Sequence, residues 1–297
     1  KNYMPKVGTL GHHMMKRTCT NQVNLDFYSE EDMKNKYRLM LNLEGIATAM
    51  FANSPFDNRE KSEYKSLRSH FWHHTDKNRT GLLPFVFDNN FNFEKYVEYA
   101  LDVPMYFIIR DRKYINMTDY TFRNFFENKL SDYKNIEPTI DDWINHLSTL
   151  FPQVRLKQFL EIRSMDACSW DLICSQPAFW IGLLYNDTSF NRAQEVVESW
   201  TQEDRKFINN NVPKYGLQTP FKEGTILDVA QKLFEISKQG LDARNIIARN
   251  KKYNETFYLK ELENNLASGR SPADILIDKF NNKWSQNINF IYSENIF

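Results

Sequence analysis

Two short stretches carry residue types whose spacing could do chemistry. In Arg17 to Phe27 the side chains alternate with a period of two. Val23, Leu25 and Phe27 fall on one parity, and Thr18, Thr20, Gln22, Asn24 and Asp26 on the other. That is the pattern of a half-buried strand with a column of short oxygen- and nitrogen-bearing side chains on its second face. Solvent-facing strand positions usually carry Lys, Glu or Arg, so such a column suits a polar ligand or a metal ion. An ordinary wet face of an antiparallel sheet is the alternative.

The second stretch runs from Arg155 to Asp166. Leu156, Leu160 and Ile162 share one parity; Arg155, Lys157, Glu161 and Arg163 share the other, with Phe159 among them. A spacing of two sets Glu161 and Arg163 side by side. A carboxylate beside a guanidinium fits a metal–phosphate site, because the hard oxygen takes Mg²⁺ and the planar fork takes phosphate oxygens. A same-face surface ion pair, common and weak, is the competing explanation.

The elements that must position these residues read as α+β. Ser29 opens a long helix reaching about Phe51, with acids at its positive end and Asn53-Ser54-Pro55 as the stop. Asn92 to Asp102 reads as a short helix. Met105 to Tyr114 reads as one strand covered on both faces. Thr118 and Thr139 open two further helices. Beyond Trp170 the pattern is helical throughout, and Ser271-Pro272-Ala273-Asp274 is a strong helix start. Strands mixed with helices followed by an all-helical tail exclude alternating βαβ units. The expected division is a sheet-containing catalytic part over 1–170 and a helical C-terminal part over 171–297 packed on the same domain. Residues 1–16 read as a loop, and so does the polar stretch from Asp57 to Lys65; Leu67 to Gly81 has no clean period and the mixed composition of a binding loop. His12–His13 and His73–His74 are adjacent pairs, which on a strand would point to opposite faces, and read as structural or surface residues.

The bulk numbers narrow the function classes. Of 297 residues, 38 are Lys or Arg and 38 are Asp or Glu, so the formal charge is zero. Nucleic-acid or anionic-membrane binding relies on a basic excess, which is missing here. Aromatic residues make up 15% of the chain, which fits a packed globule. The sequence contains no run of eighteen apolar residues. Cys19, Cys168 and Cys174 follow no metal or disulfide spacing and point to a reducing compartment, taken as the cytoplasm. The chain opens at Lys1 without a methionine, and a longer parent is expected.

The motifs resemble those of plant-type glutamate–cysteine ligases, a branch that includes many bacterial enzymes. The matching residues include Met14-Met15, Arg17-Thr18-Cys19-Thr20, Gln22-Val23-Asn24-Leu25-Asp26-Phe27, Arg68-Ser69-His70 with Trp72, and Arg79-Thr80-Gly81. Leu160-Glu161 with Arg163, and Pro177-Ala178-Phe179-Trp180, continue the match, and the resemblance spans nearly the whole chain. The resemblance implies a curved, mainly antiparallel sheet with flanking helices, like the catalytic fold of glutamine synthetase. It implies ATP-dependent joining of the L-glutamate γ-carboxylate to the L-cysteine amine through γ-glutamyl phosphate, with Mg²⁺ as cofactor. Glu161, Gln22 and Asn24 would then hold the metal. Arg163 would meet phosphate, with Lys157 near it, and Arg163 and Arg68 would act in catalysis. Met15, Arg17, Arg68 and Trp72 would bind substrate, and Arg79 beside Asp76 would pin a loop. The family's Gly-Thr-Glu-like strand, with its main Mg²⁺ ligands, has no counterpart in this sequence. Of the plant redox disulfide positions only Cys174 is matched, with Met117 and Asp132 standing at the other pair. Two other readings stay open: a related glutamate–amine ligase, and an inactive chain that binds a small ligand.

Overall fold

A computed structural model describes residues 3–131, 133, 136–247 and 252–294. The helix Glu30–Met50 forms its centre. Ser29 Oγ accepts from Asp32 N–H at 3.1 Å, while Asp32 Oδ2 accepts from Tyr28 N–H at 3.1 Å, closing the helix start from both sides. From Leu43 to Met50 every residue is buried, because other elements cover this half on all sides. One flank meets the candidate site strands; the helices Gln202–Tyr215 and Ile226–Arg244 also pack on it.

The largest sheet has three short antiparallel strands, in the order Val23–Leu25, Leu160–Ile162, Val154–Leu156. Four two-stranded ribbons complete the strand content of the described residues, and the one joining Thr80–Gly81 to Phe151–Pro152 is parallel. The fold is therefore mixed helix and sheet, with small and mainly antiparallel sheets. The main hydrophobic core takes residues from both sides of residue 170, from Val23 to Leu266.

In the helical part, Trp170–Leu184 and Ile226–Arg244 approach at glycines. A Cβ on Gly240 would stand 1.9 Å from Gly182 O, and one on Gly182 would stand 2.2 Å from Ser237 O. Ser237 Oγ, donating to Phe179 O at 2.8 Å, fastens the crossing.

Several expectations need correction. The stretch expected as a loop holds two helices, Met4–Val7 and Gly11–Arg17, and of the first predicted strand only Val23–Leu25 is a strand. Thr20 continues it as an isolated bridge to Asp166. The Arg155–Asp166 strand is a hairpin that turns at Lys157–Phe159. Met105–Tyr114 is likewise a hairpin, Phe107–Arg110 with Lys113–Asn116, and its faces are only partly covered. Asp111 and Arg112 form its turn at positive φ, 50° and 61°. Asp111 is a usual first residue of such a turn, but Arg112 stands where glycine is expected, so the apolar run reads through it. The helix expected from Thr118 starts after Thr121 and covers Phe122–Phe126. The supposed binding loop contains the helix Leu67–His73, capped by Ser66. Asp132 lies outside the described residues.

Candidate active site

The hairpin register decides which side chains meet. Val154 pairs with Ile162, Arg155 with Glu161 and Leu156 with Leu160, while Asn24 pairs with Glu161 from the other side. Paired residues of an antiparallel ladder face the same way. Arg155, Glu161 and Asn24 therefore form one row across the sheet, and Val154, Leu156, Leu160 and Ile162 are turned into the core. Two buried tyrosines serve the hairpin backbone from beneath. Tyr37 Oη donates to Val154 O at 2.5 Å, and Tyr96 Oη accepts from Leu156 N–H at 3.2 Å.

Glu161 is buried and gripped by two guanidiniums. Arg155 Nη2 donates to Glu161 Oε1 at 2.9 Å and Oε2 at 3.0 Å, and Arg163 Nη1 donates to Oε1. The Gln22 amide, oriented to satisfy both its ends, donates to Glu161 Oε1 at 3.1 Å and accepts from Arg163 Nη1 at 2.6 Å. Arg155 Nη1 is anchored by the carbonyls of Ser148 and Leu150, both at 3.0 Å. Burial pushes the Glu161 carboxyl up, but Arg155 and then Arg163 outweigh it, so it lies below the ordinary glutamate value. Burial and the Arg155 charge pull Arg163 down, against the attraction of Glu161.

This set does not by itself suit Mg²⁺. A hard cation needs several free oxygen ligands. Glu161 supplies the one carboxylate of the cluster, and its oxygens already accept from two cations and an amide. Among the described residues no group of three or more His, Cys, Asp or Glu is arranged for a metal. Two guanidiniums and one carboxylate leave a local excess of one positive charge, which fits a phosphate oxygen.

Beside the cluster lies a cleft of about 860 Å³, lined by Met15, Trp72, Tyr106 and Phe151 among others. Phe151 joins the two regions, with the Arg163 guanidinium 5.5 Å from its ring centre and the Trp72 ring edge-on to it at 5.9 Å. Met15 and Trp72 are thus brought together. Gln22 and Asn24 instead line a polar groove of about 710 Å³ with Gln176, whose Oε1 is buried without a donor.

Three expected site residues stand elsewhere. Arg68 is buried under the sheet rather than in the cleft: Nη2 donates to Arg163 O at 2.6 Å and Nη1 to Ser164 O at 3.1 Å. Burial pulls it down to about 10, opposed by Asp166. Arg17, at the end of a helix instead of on a strand, pairs with Asp57 and His13. Lys157 is exposed in the hairpin turn. Arg79 does pin its loop: it meets Asp76 Oδ2 at 2.6 Å and reaches Thr149 and Pro104.

The sequence reading missed Asp166 and the role of Arg155. Asp166 is a buried carboxylate accepting from Asn53 N–H at 2.9 Å, Ser54 Oγ at 2.6 Å and Ser66 Oγ at 2.8 Å. It ties the end of the Glu161 strand to the cap of the Leu67–His73 helix, which carries Arg68 and Trp72. The signal for Arg155 was its parity with Glu161; the hairpin turns that parity into a direct contact.

The buried Arg155–Glu161–Arg163 cluster thus lies on a sheet beside a concave cleft of the size that takes small molecules, the arrangement of a ligand-binding or catalytic protein. The particular family is shown by comparison. The model of Glutamate-cysteine ligase family 2 matches residues 1–294, and the chain belongs to that family. It is 48% identical over all 297 residues to glutamate–cysteine ligase B, chloroplastic, of Oryza sativa subsp. japonica, covering 58% of that protein. It is 47% identical to the chloroplastic glutamate–cysteine ligases of Nicotiana tabacum and Arabidopsis thaliana, covering 56% of each. The chain thus spans somewhat more than half the length of these relatives. Their chloroplastic names overturn the expected cytoplasmic location. Sparse cysteines separate reducing from oxidising compartments, not one reducing compartment from another.

Proposed function

We propose that the protein carrying this chain joins the γ-carboxylate of L-glutamate to the amine of L-cysteine with ATP, the first step of glutathione biosynthesis, in the plastid of its relatives' names. The observation that carries this reading is the buried Arg155–Glu161–Arg163 cluster in a chain of the glutamate–cysteine ligase family. ATP enters as its magnesium complex. The glutamate γ-carboxylate attacks the γ-phosphorus, ADP leaves, and γ-glutamyl phosphate forms. The cysteine amine then attacks the acyl carbon and phosphate departs.

Charge spreads over the phosphoryl oxygens in both steps, and donors fixed in advance lower that barrier. Arg163 is the donor, and Glu161 with Arg155 fixes its direction. Arg68 acts as a positioning residue through the carbonyls of Arg163 and Ser164. Met15 and Trp72 form part of the acceptor cleft. The three-stranded sheet would be one portion of a glutamine synthetase-like catalytic sheet, and residues 1–170 the catalytic part on which the helical part packs. The polar amides Gln22 and Asn24 would face the nucleotide's metal only with further carboxylates from other sequence.

The test is ADP release by the protein with glutamate, MgATP and a series of amines. Release that depends on cysteine and matches γ-glutamylcysteine formed one for one is expected. Equal release with unrelated amines would remove the cysteine assignment, and none with any amine would remove the ligase reading.

A further inference from the structure

The helix Leu67–His73 carries a second chemical feature, unrelated to the ligase reading. His70 and His74 are four residues apart, the spacing that stacks side chains on one helical face. Their ring centres are 4.5 Å apart, with planes inclined at 51°. His74 Nδ1 lies 2.9 Å from His70 O, and against a carbonyl it must be the protonated nitrogen. The lone pair of His74, an exposed residue, is thereby assigned to Nε2. This is the outer-shell arrangement that orients metal-binding imidazoles: one ring nitrogen donates to a carbonyl while the other ligates.

His70 is held by Tyr64, whose ring stacks on it at 4.0 Å and 20°. Other histidines of the region are excluded on geometry. His73 has its Nε2 buried, and His13 Nδ1 faces Arg17 Nη1 at 2.8 Å.

We propose that His70 and His74 form a two-imidazole site for a borderline divalent transition ion, of the Zn²⁺, Cu²⁺ or Ni²⁺ class. Imidazole nitrogen suits these ions and not Mg²⁺. No third His, Cys, Asp or Glu among the described residues joins the pair, so the remaining positions are open to water or to an incoming ligand. An ion bound there would lock the last turn of the helix that also carries Arg68 and Trp72.

Cu²⁺ alone is the most sensitive probe, since it heads the affinity order for nitrogen sites. Titrated into the protein and followed by electron paramagnetic resonance, it is expected to bind at one equivalent with two nitrogen ligands. His70→Asn and His74→Asn should each weaken binding at least as much as loss of a supporting group does, about 10–100-fold. His73→Asn should leave it unchanged. A wild-type spectrum with fewer than two nitrogens, or full affinity in both His70→Asn and His74→Asn, would overturn the site. The wild-type spectrum decides even where a variant fails to fold.

Discussion

Arg155 holds both oxygens of Glu161 through a single nitrogen, Nη2, at 2.9 and 3.0 Å, and keeps Nη1 for two backbone carbonyls. The carboxylate is therefore a structural counter-ion before it is anything else. Glu161→Ala leaves two buried guanidiniums facing each other, and breaking a buried ion pair typically costs about 3–5 kcal/mol. Denaturant unfolding should show that loss in the midpoint at an unchanged slope. A loss below about 1 kcal/mol would mean the cluster is open in solution.

Arg163 separates function from stability more cleanly, because Arg155 still neutralises Glu161 when Arg163 is removed. For the proposed ligase activity of the full-length protein, Arg163→Ala should lower kcat by roughly 10²–10³, the scale for losing one donor aimed at developing charge. Arg163→Lys, which keeps the charge and loses the fork, should recover only part of it. Near-normal kcat in Arg163→Ala would take Arg163 out of the chemistry.

Much of this site was legible because a three-residue hairpin turn keeps the parity of the two strands. Arg155 and Glu161 share a face whether the segment is one strand or two, so the polar row was found although the turn at Lys157–Phe159 was not. Placement of the remaining candidates depended on tertiary packing. A buried arginine and a substrate-binding arginine look alike in sequence, and only the structure shows that the Arg68 guanidinium meets the carbonyls of Arg163 and Ser164. Arg17 was misplaced for a local reason: alternation was traced through residues that the helix Gly11–Arg17 takes up. Three helix starts were read correctly, since Ser29, Thr139 and Ser271 are true caps. The curved sheet came only from the resemblance; the described residues build one sheet of three short strands and four two-stranded ribbons.

Glu44 gives a pH dependence of definite sign. It is buried in the central helix, its Oε1 accepting from Asn209 Nδ2 at 2.8 Å. Burial pushes its carboxyl up from 4.5 to about 7, against Asn209 and Arg68. The folded state then holds a proton that the unfolded state has lost, so stability falls as pH rises from about 4.5 to 7. At about 1.4 kcal/mol per tenfold in proton affinity, the loss is on the order of 3 kcal/mol. Glu44→Gln should remove it, leaving the variant more stable than wild type at pH 8 and little different at pH 4. A constant difference across that range would refute the assignment.

Asp76 and Arg79 form a fully buried pair, with the Arg79 guanidinium 3.7 Å from the Tyr106 ring centre. Arg79→Met strands a carboxylate, and Asp76→Asn leaves Arg79 its carbonyls and ring. The expected order is a loss of about 3–5 kcal/mol for Arg79→Met and less for Asp76→Asn. Equal losses in unfolding measurements would show that the carbonyl and ring contacts contribute nothing to Arg79.

The glycine crossing should be the least forgiving point of the helical part. Gly182→Ala drives a methyl against Ser237 O at 2.2 Å, and Gly240→Ala drives one against Gly182 O at 1.9 Å. Both obstacles are backbone atoms inside helices, so relief requires one helix to move off the other. Alanine would otherwise favour these helices by up to about 1 kcal/mol each. Overpacking typically costs about 1–3 kcal/mol, and the crossing should lie at the upper end because nothing flexible can yield. Gly81→Ala is the contrasting case: no atom lies within 4 Å of its Cβ, and its cost comes only from φ of 87°. Thermal unfolding of the three variants should rank Gly240→Ala and Gly182→Ala well below Gly81→Ala. If either crossing variant matched wild type, the two helices would not approach as closely in solution as these distances require.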